Sequence, residues 1–185
     1  MGKILLINTA PEGKTAEWAG AAAERIDEYQ VAAVYVCPVP GAGETARIVA
    51  EEGGVPVKAL PGFDETVEAF WKAGSKVDGP LLDCNFKDVP PGAIPELPFN
   101  AEIDDLRARI GQALDAIAEA HKKENVAVVS HRALTVVMIM HLLHMDGSHY
   151  RQLAQDYGAA NLFEVRGGIP SALYINDICH LFDLR

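Results

Sequence analysis

The sequence predicts an α/β fold: a mostly parallel central sheet with helices on both faces, a three-layer α/β/α sandwich. Three observations carry this. Short apolar runs bounded by turn residues alternate with stretches of helical periodicity along the chain. The runs at 3–8 and 126–130 are apolar at nearly every position, as strands buried on both faces are. Two further runs, 161–165 and 172–176, flank Gly167-Gly168, which predicts a hairpin and an antiparallel edge.

In order, 3–8 is a buried strand followed by a loop at 9–14. Residues 15–29 form a helix, with Ala19, Ala22, Ala23 and Ile26 on one face and Thr15 as its N-cap. A second strand at 31–37 ends at Pro38-Val39-Pro40-Gly41. Short helices are expected at 44–52, stopped by Gly53-Gly54, and at 64–73. Residues 74–100 hold five prolines and several glycines, so helix and central strand are both disfavoured. They are expected to form a long surface loop inserted in the domain, a kind of loop that is often functional. The clearest helix is 101–121, where Ile103, Leu106, Ile110, Leu114 and Ile117 make one apolar stripe. The strand 126–130 and an apolar helix at 133–145 follow, then a segment to residue 154 capped by Ser148.

Length and composition bound the function. With 185 residues, 49% of them hydrophobic, one domain spanning 1–185 with a sizeable core is expected. The formal net charge of −10 repels phosphate backbones and anionic membranes, so neither nucleic acid nor membrane is expected as a partner. Cys37, Cys84 and Cys179 are odd in number and share no metal-like spacing, so free thiols in a reducing compartment fit best. The apolar run at 4–7 is too short for a signal peptide. The longest apolar stretch, 136–143, is broken by His141 and too short to span a bilayer. A cytoplasmic location follows, and no metal or cofactor is implied. His141 and His144 are expected as packing or surface residues, and His121 and His149 as exposed ones.

In a parallel sheet, ligands bind beyond the C-terminal strand ends. That places Asn8-Thr9, Cys37-Pro38 and Ser130-His131 at one rim. Ser130-His131 would deliver a histidine to a helix N-terminus, whose unpaired N–H groups and positive dipole end suit an anion. The plainer reading is that His131 only caps that helix. Asn8 to Thr15 matches the spacing of a phosphate-binding P-loop with Asn8 in place of the first glycine. The details argue against it: Pro11 lacks an N–H, and Glu12 puts negative charge where phosphates would lie.

Several segments together resemble the histidine phosphatase (phosphoglycerate mutase-like) superfamily. Val128-Val129-Ser130-His131 before an apolar helix resembles its second histidine motif. Cys37-Pro38-Val39-Pro40-Gly41-Ala42-Gly43-Glu44-Thr45-Ala46 resembles its Ser-Pro-Leu-x-Arg-Ala-x-Gln/Glu-Thr-Ala segment, and Gly54-Val55-Pro56-Val57 fits after it. Residues 103–118 resemble the arginine-containing helix before the second histidine. Asn176-Asp177-Ile178-Cys179-His180-Leu181 is similar to its closing Asn-Asp-x-x-His-Leu. The resemblance covers nearly the whole chain in order and implies a phosphoglycerate mutase-like fold. It also implies covalent catalysis through a phosphohistidine in an Arg-His-Gly loop after the first strand. Two arginines and a second histidine would clamp the phosphate, and a carboxylate would protonate the leaving oxygen.

This chain departs from that pattern at defined positions. The first strand runs into Asn8-Thr9-Ala10; a second register sets Pro11-Glu12-Gly13-Lys14-Thr15 against Arg-His-Gly-Glu-Thr. Thr9 or Glu12 then stands at the nucleophile. Gly41 takes the arginine position of the second motif, Leu60-Pro61-Gly62 the carboxylate segment, and Arg132 the glycine after the second histidine. Losing two arginines costs about 3–6 kcal/mol, or roughly 10²–10⁴ in phosphate affinity. Inward-turned Arg132 and Lys14 would restore part of it. The expectation is a catalytically degenerate member with a remnant pocket of Asn8, Thr9, Cys37, Glu44, Ser130 and Arg132 around His131. It would bind a small phosphorylated metabolite, an inorganic anion or a protein partner. The alternatives are a divergent phosphatase using His131 with another nucleophile, and a nucleotide-binding protein using Asn8 to Thr15.

Overall fold

The computed structural model describes residues 2–39, 41–62 and 100–184. The expected helix at 64–73, Cys84 and all but the last residue of the 74–100 stretch lie outside these. The described elements are β1 (Lys3–Asn8), α1 (Thr15–Glu28), β2 (Val31–Val36), α2 (Ala42–Glu52), β3 (Val57–Ala59), α3 (Asn100–Ala120), β4 (Asn125–Ser130), α4 (Arg132–Leu142), β5 (Ala160–Arg166) and β6 (Ile169–Asp177). They build one six-stranded sheet in the order β3-β2-β4-β1-β5-β6. The first four in that order run parallel, and β5 is antiparallel to both its neighbours, β1 and β6. The fold class, the parallel centre and the antiparallel edge hairpin are as the sequence predicts.

Chain direction explains the layers. The crossovers β1-α1-β2 and β2-α2-β3 move one way along the sheet, and the connection from β3 through α3 to β4 moves back. Right-handed crossovers then put α1 and α2 on one face and α3 on the other. α1 packs on α2, and α3 on α4, accordingly. Between the layers Ile4 to Ile7 of β1 and Val126 to Val129 of β4 are at most 3% exposed. That double-sided burial is why these strands are apolar throughout rather than alternating.

Several boundaries differ from the sequence reading. β3 was not anticipated, because it is three exposed residues without an apolar run. β2 stops one residue before Cys37, and α2 starts two residues earlier than the 44–52 expected. Thr15 opens α1 but does not cap it; Lys14 holds the N-cap position and makes no side-chain capping bond. α4 ends at Leu142, short of the expected 145. The expected 148–154 segment is a 3-10 turn, Gly147–Gln152, and Asp146 caps it by accepting the Ser148 N–H at 2.9 Å. His121 is not exposed: its ring lies between the Tyr35 hydroxyl at 2.9 Å and the Glu124 carboxylate at 2.6 Å.

α3 and α4 approach closely where α3 carries Gly111. A Cβ there would come within 2.2 Å of Nδ1 of His141, whose ring is held by Asp115 at 3.1 Å. Gly111→Ala is therefore expected to lower stability by about 1–3 kcal/mol through overpacking, even though alanine is the better helix former by about 1 kcal/mol. Urea denaturation reads the loss, and His141→Ala in the same chain is expected to recover most of it.

Candidate functional site

The rim expected from the sequence is formed. Asn8 is in register with Ser130, and Val36 with Val129. Beyond the strand ends the Thr9 N–H donates to the Ser130 carbonyl at 2.9 Å, and the Cys37 N–H to the Val129 carbonyl at 3.0 Å. β1 and β4 are neighbours, yet their following helices leave to opposite faces, and such a crevice is where open α/β sheets take ligands. Gly41, with φ of +78°, turns the chain into α2 beside Thr9; a Cβ there would lie 4.0 Å from the Thr9 side chain. Thr9 is 3% exposed. Glu44 lies in the first turn of α2 and is exposed.

His131 is the N-cap of α4, so the plain structural role holds. Its backbone is extended (φ −75°, ψ 147°), and Nδ1 accepts the Ala133 N–H at 3.3 Å. A neutral ring with Nδ1 as acceptor carries its proton on Nε2. The cap therefore also fixes a tautomer, leaving an N–H on the half-buried ring.

Arg132 turns inward completely. It is 0% exposed, and its guanidinium carbon stands 3.6 Å from the centroid of the Tyr157 ring. This runs against two general preferences. Cations are unfavourable at the positive end of a helix, and burying a charge is costly. Stacking on an aromatic face offsets part of that cost. Lys14 does not join it: that side chain is exposed, lies over Trp18 and reaches the Leu184 carbonyl at 3.5 Å.

Asn8 is wholly buried, and its amide is fixed from the side of the 155–158 loop. Nδ2 donates to Gln155 Oε1 at 2.9 Å and to the Asp156 carbonyl at 2.8 Å. Gln155 in turn exchanges two 3.0 Å bonds with Asn161 of β5. Asn161 Oδ1 accepts the Asn176 N–H at 2.8 Å, and Asn176 Oδ1 accepts the Asp156 N–H at 2.7 Å. Gln155 and Asn161 are at most 1% exposed. Sequence reasoning missed Gln155, Asn161 and Tyr157. An asparagine between Ala160 and Leu162 in an apolar strand was the available signal, since a buried amide requires a partner.

Cys37 and Ser130 belong to the floor of the rim. Both are 0% exposed. Burial pushes the Cys37 thiol up to about 12, against a hydrogen bond with Ser130 that pulls it down. The thiol is therefore neutral at physiological pH. Among the described residues no group of three or more His, Cys, Asp or Glu is placed to hold a metal ion, and no helix is long and apolar enough to cross a membrane.

The profile of the histidine phosphatase superfamily (branch 1) matches residues 13–178, and the chain belongs to that superfamily. Solved structures agree in fold. Phosphoserine phosphatase from Entamoeba histolytica, in complex with 3-phosphoglyceric acid, superposes with a TM-score of 0.71 at 19% identity, covering 98% of this chain and 100% of that one. An alpha-ribazole phosphatase from Shigella flexneri gives 0.65 at 16% identity, with 95% and 96% covered. A mycobacterial glucosyl-3-phosphoglycerate phosphatase complexed with VO3 gives 0.62 at 13% identity, with 95% and 99% covered. No curated protein matches the chain in a sequence search.

Two measurements test this geometry. Iodoacetamide followed by peptide mapping should leave Cys37 unmodified in the native protein and label it once the protein is denatured; labelling of native Cys37 contradicts the buried, neutral thiol. The second concerns His180, whose pKa is lowered chiefly by burial and further by the charge of Arg25. A base whose folded pKa lies below its unfolded value contributes stability that is complete above the unfolded pKa, near 6.5. That stability is lost as pH falls through the folded value. Unfolding free energy should thus decline as pH drops below about 6.5, and His180→Gln should flatten that part of the profile.

Proposed function

We propose that this protein is a catalytically degenerate histidine phosphatase that binds a small phosphorylated metabolite or inorganic anion around His131 without forming phosphohistidine. The observation that carries the reading is Arg132, a fully buried cation at the first residue of α4, directly after His131. Local rules broken in a fold's ligand crevice mark a functional position. A cation and an Nε2–H beside a helix N-terminus suit an oxyanion. Degeneracy rests on the end of β1. The chain's first histidine is His121, so neither register of the Asn8 to Thr15 loop offers a histidine to phosphorylate. Thr9 is buried, its N–H and carbonyl are both engaged in backbone hydrogen bonds, and Cys37 is neutral. Phosphoserine and 3-phosphoglyceric acid, the molecules bound to the Entamoeba phosphatase, are the first ligand classes to try.

The enzyme alternative, a divergent phosphatase with another nucleophile, draws on the neighbours, several of which are phosphatases by name. The nucleotide alternative is weaker. In the Asn8 to Thr15 loop the Thr9 and Lys14 N–H groups already bond to the Ser130 and Pro11 carbonyls, so they are unavailable to cradle a phosphate.

Hydrolysis of p-nitrophenyl phosphate decides between the first two. No turnover above background is expected, whereas turnover that disappears in His131→Ala establishes the enzyme. Inorganic phosphate is expected to raise the melting temperature of the native chain. Arg132→Met keeps the bulk but removes the charge, and should weaken phosphate binding roughly 10–100-fold, as expected for one charged hydrogen bond. Unchanged binding in that variant removes Arg132 from the site.

A further inference from the structure

Of the closing Asn176-Asp177-Ile178-Cys179-His180-Leu181 segment, only Asn176 enters the network around Asn8, yet Asp177 and His180 also make side-chain hydrogen bonds. Asn176 adopts φ of +57°, rare outside glycine. That turn lets its amide accept from the Asp156 N–H at 2.7 Å and donate to Asp156 Oδ2 at 3.1 Å. Asp177 Oδ2 takes Arg25 of α1 at 2.7 Å, and its Oδ1 accepts the Cys179 N–H at 3.0 Å. His180 Nε2 lies 3.0 Å from the Gly158 carbonyl, so its N–H donates there.

The bonds of Asn176 and His180 reach the residues either side of Tyr157. Gly158 is gripped from both ends: its carbonyl accepts from His180, and its N–H donates to the Thr9 carbonyl at 3.0 Å. Its φ is +64°, and a Cβ there would come within 2.9 Å of both Leu181 and Trp18. Asp156, on the other side, is held by Asn176 and by the Asn8 amide. Tyr157 is the residue between two clamped neighbours, and its ring faces the Arg132 guanidinium.

We propose that the 176–181 segment is a clamp that sets the position of Arg132 through Tyr157, with His180 as the positioning residue that closes it. The assignment of Arg132 to anion binding rests on the function proposed above; the mechanical coupling from His180 to Arg132 does not. With His180 in place, the Gly158 peptide is fixed against Thr9 and the Tyr157 ring is held against the guanidinium, 3.6 Å from ring centroid to guanidinium carbon. Without its N–H, the grip on the Gly158 carbonyl is lost, and the Tyr157 ring shifts together with the guanidinium it faces.

The test compares His180→Met, which fills the space without a donor, with His180→Gln, whose amide can still donate to the Gly158 carbonyl. Three readouts are taken by NMR on the full chain: exchange of the Gly158 amide, the ring-current shift of the Arg132 Nε–H, and affinity for inorganic phosphate. His180→Met should speed Gly158 exchange about tenfold, the effect of losing roughly one hydrogen bond, reduce the Arg132 shift, and weaken phosphate about tenfold. His180→Gln should restore all three. Amides of α3, away from the clamp, should exchange as in the native chain, which separates the clamp from general loosening. Native Gly158 exchange and Arg132 shift in His180→Met would overturn the clamp. If the native chain itself binds no phosphate, the anion reading fails, and the exchange and shift readouts still decide the clamp.

Discussion

Everything in the candidate site depends on the parallel pairing of β1 with β4. Asn8 in register with Ser130 brings two strand ends together whose following helices depart to opposite faces of the sheet. The pairing is held by apolar side chains buried on both faces, so it cannot slip without exposing them. From it follow the Thr9 to Ser130 backbone bond, the position of His131 at the start of α4, and the inward course of Arg132. The site is thus a consequence of the core rather than an addition to its surface.

The rim carries an uncommon load of buried polar groups. Asn8, Thr9, Ser130, Arg132, Gln155 and Asn161 are all at most 3% exposed. Each buried amide left unpaired costs about 1–3 kcal/mol, and the 155–158 loop limits that cost by pairing them with one another. A network of this kind specifies one arrangement of the loop, because any other leaves several groups unpaired together. It therefore supports a rigid rim with Arg132 turned inward. Thr9 is enclosed within it, and the Cys37 thiol is held neutral by the same desolvation.

Much of the fold was legible in the sequence because its strands are double-buried. Continuous apolar runs at 3–8 and 126–130 have no other economical reading in a chain with intervening helices. The edge hairpin was legible from Gly167-Gly168, both of which take positive φ. β3 was not, because an exposed three-residue strand is made by its neighbour β2 and not by its own pattern. The Thr15 and Ser148 caps failed for a related reason. Capping depends on where the chain enters the helix, and Lys14 and Asp146 occupy those entry points.

For the site, local pattern determined the strand ends and hence the rim containing Asn8, Thr9, Cys37, Ser130 and His131. Register and crossover direction are set by short-range hydrophobic pattern and chain handedness, both of which a sequence carries. Which side chains turn inward was decided only by tertiary structure. Both Arg132 and Lys14 are spare cations in the sequence, with a surface position preferred for Lys14; Lys14 does lie on the surface by Trp18, whereas Arg132 is stacked on Tyr157. That choice depends on loop 155–158, which meets Asn8 and Thr9 across about 150 residues of chain and is held in turn by Asn176 and His180. No local window contains such a contact, because its energy arises only when the sheet has brought the two ends together.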